Sequence, residues 1–230
     1  MLALALLGSA CAREPSLKWF WNILDLDHLA EDAGSSWYAF EQELPPSALR
    51  EKPRATKIDF VAGNSALTAC VECKFSEPGI GNCTCSVDGD GSPLAGNPCA
   101  ERVASRSAYW AVASELFGLP SPRLPLFPCP VSLAYQAVRT AAAARFLGRN
   151  KQASAFVLLY DQNNPFFCRT GDWPGWPAML SRCLKRHEAD GFYFRALSWE
   201  AILHRLPLTS AVRRWAAEKH RLGASPSDKW

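Results

Sequence analysis

The chain reads as an α/β domain in which a mixed central β-sheet is flanked by helices. Three stretches carry that expectation. Residues 57–75 read as two strands around a turn, 155–161 (AFVLLYD) as a buried central strand, and 132–147 as a good helix. A hairpin, a buried strand and intervening helices together predict helices layered on a sheet. The 230 residues suit a single domain spanning 1–230, with a Cys/Gly-rich insertion at about 77–106. A hydrophobic content of 48%, with nine Trp and twelve Phe, supplies a sizeable core and excludes a disordered chain. The formal charge of +3 permits nucleic-acid binding without arguing for it.

The elements follow in order. MLALALLGSAC has an apolar run too short for the usual signal core and no basic residue before it; it reads as the first turns of a helix, with export as the alternative. Ser16 is placed to cap a helix through about Ala33, with Trp19, Ile23, Leu26 and Ala30 at helical spacing and Gly34 as its stop. Ser36 opens a second predicted helix, WYAFEQEL, ended by Pro45 and Pro46. Strands at 57–62 and 69–75 flank a turn at Gly63-Asn64-Ser65. Residues 77–106 form a long loop, followed by a helix over 107–117, a proline-rich passage and the helix at 132–147. After the strand at 155–161 come a loop with Trp173 and Trp176, a helix near 178–189, a strand at 192–197 and a helix at 198–206 capped by Ser198. A basic helix at 209–222 carries Arg213, Arg214, Lys219 and Arg221 and reads as a solvated face, with contact to phosphates as the alternative. No stretch is long enough to span a membrane, and a cytoplasmic location is expected.

The hairpin carries the chemistry. Asp59 lies early on its first strand; Glu72 and Lys74, two apart, share a face of the second. Two carboxylates can hold a hard divalent cation through oxygen, and a neighbouring ammonium can polarise water or steady a developing anion. Such a set suits phosphodiester cleavage. An E-x-K on a strand face also occurs in ordinary surface hairpins. Here the flanking Ile58, Phe60, Val61, Ala69 and Val71 are those of a half-buried sheet, where gathered charges need a partner.

The D-(x12)-E-x-K arrangement, after a helix carrying Glu41-Gln42, resembles the PD-(D/E)XK nuclease superfamily, in particular its restriction-endonuclease-like branch. The Cys/Gly-rich insertion at 79–99, Tyr109-Trp110, Tyr135-Gln136 with Arg139, the F-x-L-L-Y-D strand at 156–161 and Trp199-Glu200 follow in the same order, over most of 16–206. The resemblance implies a restriction-endonuclease-like core and a Mg²⁺-dependent nuclease acting on DNA. By position, Asp59, Glu72 and the main-chain carbonyl of Cys73 would bind Mg²⁺, and Lys74 would orient water or stabilise charge on phosphorus. Glu41, beside the apolar stripe of Trp37, Phe40 and Leu44, would be the additional carboxylate. Gln136 and Arg139, one turn apart on a helix, would contact the substrate phosphate or Lys74. Two features depart from the pattern. Ile58 stands where many members have Pro, and the core needs a third strand before the helices, either hidden near 47–56 or missing.

Nine Cys leave an odd thiol in any disulfide scheme. Cys83, Cys85, Cys99 and Cys129 are candidates for a structural Zn²⁺, although C-x-C is tighter than the usual C-x-x-C; free thiols are the alternative, or disulfides if the chain is exported. The four His show no metal-ligand spacing. Two other functions stand beside the nuclease: a catalytically inactive nucleic-acid-binding protein of the same fold, and an exported, disulfide-bonded protein. One active site per chain makes a homodimer the expected way to cut both DNA strands.

Overall fold

The computed structural model describes residues 2–31, 33–49, 55–83, 108–119, 131–220 and 222. A five-stranded sheet organises them, in the order β1-β2-β3-β4-β5: β1 (Trp37–Glu43), β2 (Lys57–Gly63), β3 (Leu67–Lys74), β4 (Ala153–Tyr160) and β5 (Phe192–Ser198). The first three are antiparallel, while β3–β4 and β4–β5 are parallel. The sheet is therefore mixed, as expected. Its parallel half requires crossovers, and these carry helices α5 (Ala108–Phe117), α6 (Tyr135–Leu147) and α7 (Trp176–Leu184).

β4 is the hub. Ala155, Val157 and Leu159 pack in one core and Phe156 and Leu158 in the other, so the strand is buried on both faces and its apolar run is unbroken. The core on the α6 side includes Ala141, Ala142, Ala143 and Ala144, each at 0% exposure, and these small side chains bring α6 close to the sheet. The opposite core takes α1 (Leu2–Arg13) through Leu2, Leu6, Leu7, Ala10 and Cys11, so the N-terminal apolar run is a packed helix. It also takes α2 (Lys18–Ile23), α3 (Asp27–Ala30), α8 (Trp199–Leu203) and α9 (Ser210–His220).

Several expectations hold. Asn64 Oδ1 accepts from Ala66 N and Leu67 N at 2.9 and 2.8 Å, closing the hairpin as an Asx turn. Ser198 Oγ accepts from Ala201 N at 3.1 Å and caps α8.

Two expectations are corrected. The segment read as a helix from Ser36 is strand β1, paired with β2 from Trp37↔Gly63 to Glu43↔Lys57. Trp37, Phe40 and Leu44 fit a helical spacing, but Trp, Tyr and Phe also favour strands, and the open edge of β2 decides. This is the third strand of the hairpin half, so it lies at 37–43 and not near 47–56, where α4 (Pro46–Leu49) sits. The helix expected over 16–33 is broken in two. Asp25 takes a left-handed φ of 55° between α2 and α3, and the residue at the cap of α2 is Leu17, not Ser16.

The insertion beyond residue 83, with Cys85 and Cys99, and the proline-rich passage at 120–130, with Cys129, lie outside the described residues. The six described cysteines, Cys83 among them, are free thiols. Among the described residues, no helix is long and apolar enough to cross a membrane.

Candidate active site

β2 and β3 pair from Gly63↔Thr68 up to Phe60↔Val71. Beyond that point, Cys73 N donates to the Asp59 side chain, at 2.7 Å from Oδ2. The alternation of β2 breaks there too: Ile58 belongs to the core on the α6 side and Phe60 to the opposite one. β1 is distorted in the same place. Its pairing with β2 skips Glu41 and Asp59, and Glu41 adopts a left-handed φ of 51°. Two adjacent strands thus lose regularity where the acidic residues sit, as bulged or strained strands often do beside active sites.

Glu72 and Lys74 extend from β3 toward α6, at 4% and 5% exposure. Lys74 Nζ lies 2.7 Å from Glu72 Oε1 and donates to Gln136 Oε1 at 2.7 Å. The other Glu72 oxygen accepts from Thr140 Oγ1 at 2.8 Å. Both charges are therefore paired and hydrogen-bonded, the condition for burying them. Gln136 is held over Gly81, where the absence of a side chain leaves room for it; a Cβ there would lie 2.2 Å from Gln136 Oε1.

Burial, followed by the Glu72 charge, pushes the Asp59 pKa up to about 6, while the Cys73 N–H and the Lys74 charge pull it down. For Lys74, burial alone would lower the pKa, but the Glu72 charge and hydrogen bond, with Glu77 and Asp59, outweigh it and raise it. Burial first, then Asp59 and Glu72, raises the Cys73 thiol well above its ordinary range. That thiol is neutral, which leaves the main-chain carbonyl as the donor Cys73 can offer a hard cation.

A cavity of about 410 Å³ opens at this end of the strands. Glu41, Asp59, Lys74 and Glu77 give it a charged side; Leu2, Ala3 and Leu4 of α1, with Phe40, Phe75 and Trp199, give it an apolar one. Glu41 is on a strand, not a helix, and its exposed carboxylate pairs with Lys57 at 2.6 Å. Gln136 meets Lys74 as expected. Arg139 instead donates from Nε to Thr56 Oγ1 at 3.1 Å, ahead of β2.

Three contributing residues escaped the sequence reading. Thr140 holds Glu72, and its position one turn beyond Gln136 was the available signal. Glu77 lines the cavity three residues after Lys74. Asn164, 8% exposed, donates from Nδ2 to the carbonyls of Phe75 and Glu77 at 3.1 and 2.9 Å and fixes the chain that follows Lys74; no spacing signalled it.

Among the described residues, no group of three or more His, Cys, Asp or Glu side chains is arranged to hold a metal ion. What the site offers is two oxygen donors, Asp59 and Glu72, whose mutual repulsion a cation would relieve. Few protein ligands suit Mg²⁺, which retains several waters.

The mixed sheet, flanked by helices and splayed where Asp59, Glu72 and Lys74 meet, is a restriction-endonuclease-like fold. The chain belongs to the family described as restriction endonuclease associating with ARP, whose family model matches residues 21–218. No curated protein and no solved structure matches the chain.

Proposed function

We propose that the chain is a Mg²⁺-dependent nuclease of the PD-(D/E)XK type that hydrolyses DNA phosphodiester bonds. The observation that carries this reading is the meeting of Asp59, Glu72 and a buried, charged Lys74 beside an open cavity. Family membership supports DNA as the substrate.

In this reading Asp59, Glu72 and the Cys73 carbonyl hold Mg²⁺, which supplies Lewis acidity and neutralises charge at the phosphate. Lys74, kept protonated by its acidic neighbours, stabilises the negative charge that builds on phosphorus as water attacks in line. Gln136 fixes the ammonium, and Thr140 fixes the carboxylate beneath it, so neither must reorganise during reaction. Glu41 serves as the additional carboxylate at the cavity wall and exchanges Lys57 for that role. Gln136, bonded to Lys74, and Arg139, bonded to Thr56, are the further substrate contacts of this reading. Cutting both strands would bring two copies together.

The test is incubation of the protein with supercoiled and linear DNA, with Mg²⁺ or EDTA, alongside Lys74→Ala. Mg²⁺-dependent cutting that disappears in the variant, with a circular dichroism spectrum still that of the folded protein, supports the reading. Undiminished cutting by Lys74→Ala sinks it, and DNA binding without any cutting by the wild type favours an inactive binding protein.

A further inference from the structure

The wall of the cavity continues onto α9. Phe75, which follows Lys74 and lines the cavity, meets the His220 ring edge-on at 5.3 Å. His220 in turn meets Trp215 at 5.2 Å, and Lys219 Nζ lies 5.6 Å from the centre of the Trp215 ring. A row of rings thus runs from the residue beside the candidate catalytic lysine to an exposed ammonium.

The helix that carries this row is anchored. Ala216 is at 0% exposure in the core, and the Arg213 guanidinium donates to the carbonyls of Leu203 and Leu206. Lys219 is exposed, and its stacking on Trp215 restrains the head group without neutralising it. Arg214 is exposed on the same helix, but at about 100° per residue it lies roughly 140° around the axis from Lys219. The two cations therefore serve different surfaces.

A nucleic-acid strand that places one phosphate in the cavity must carry further phosphates out across its wall, and a fixed ammonium there meets the next negative charges. We propose that Lys219 is a phosphate-contacting residue of the DNA-binding surface, acting outside the cavity and without sequence preference. The proposal rests on the nuclease reading above.

It is tested by measuring binding of a short duplex in EDTA over a salt series, for the wild type, Lys219→Ala, Lys219→Arg and Arg214→Ala, and by cleavage kinetics with Mg²⁺. Lys219→Ala is expected to weaken binding several-fold and to reduce the log–log salt slope by about one. Lys219→Arg restores both. KM rises in Lys219→Ala while kcat at saturating DNA is unchanged, and Arg214→Ala binds like the wild type. Equal effects of Lys219→Ala and Arg214→Ala, or no effect of either, overturn the proposal while leaving a cutting wild type as a nuclease. A wild type that neither binds DNA nor cuts it with Mg²⁺ removes the nuclease reading and this inference together.

Discussion

Asp59 Oδ2 accepts the Cys73 N–H at 2.7 Å, just past the Phe60↔Val71 pair where β2 and β3 stop pairing. The carboxylate is held by the backbone of the strand that carries Glu72 and Lys74, so all three functional groups share one rigid frame. The same closeness raises the Asp59 pKa to about 6 from an ordinary 3.8, through burial first and the Glu72 charge second. Between those values the folded protein holds a proton that the unfolded chain has released. The contribution of Asp59 to stability is thus full at low pH and lost as pH rises through about 6. Cleavage, which needs the carboxylate ionised, is expected to fall below about pH 6, and added Mg²⁺ should move that limb to lower pH. A pH–rate profile at two Mg²⁺ concentrations checks both; an acid limb that ignores Mg²⁺ removes Asp59 as a ligand.

Lys74 is the partner of a buried Glu72, so its loss affects more than catalysis. Lys74→Met should abolish cutting and destabilise the protein by about 3–5 kcal/mol, because it leaves a carboxylate buried and unpaired. Mg²⁺ should then raise the melting temperature more for the variant than for the wild type. Calorimetry with and without Mg²⁺ measures the difference, and equal shifts argue against a cation at Glu72.

Thr140→Val keeps the side-chain shape and removes the hydrogen bond to Glu72. A hydrogen bond to a charged group is worth about 1.5–3 kcal/mol, the expected loss in urea denaturation. Activity should fall as well, since Glu72 gains freedom. An unchanged midpoint would show that Glu72 is held by Lys74 alone.

Gly81→Ala tests the support of Gln136. The left-handed backbone alone costs about 1–2 kcal/mol with a side chain. The new methyl group also displaces the Gln136 amide, so cleavage should drop about as far as in Gln136→Ala. Full activity in Gly81→Ala would show that the Gln136–Lys74 bond is dispensable.

Glu41 sits at a φ of 51°, where only glycine is unstrained. Glu41→Gly should therefore be more stable than Glu41→Ala by about 1–2 kcal/mol, while both lower cleavage. Two fully active variants would make Glu41 no more than the partner of Lys57.

How much of this was legible differs by residue, for physical reasons. The turn at Gly63-Asn64-Ser65, the cap at Ser198 and the buried strand β4 follow from local chemistry, and the sequence alone placed them. Glu72 and Lys74 sharing a face follows from the two-residue repeat of any strand. β1 was not legible, because WYAFEQEL satisfies a helical and an extended pattern alike, and only the neighbouring edge of β2 selects the strand. The break between α2 and α3 depends on a left-handed turn at Asp25 that the helical spacing of the apolar residues does not signal.

The sequence by itself thus determined the class of fold, the hairpin that carries Asp59, Glu72 and Lys74, and the family, since periodicity and ordered motifs are local or additive signals. Only the tertiary structure decided that Glu41 approaches from a strand, that Thr140 holds Glu72 from 68 positions away and that Asn164 secures the chain after Lys74. Those contacts depend on which elements pack together to bury the sheet, and no spacing along the chain records that choice.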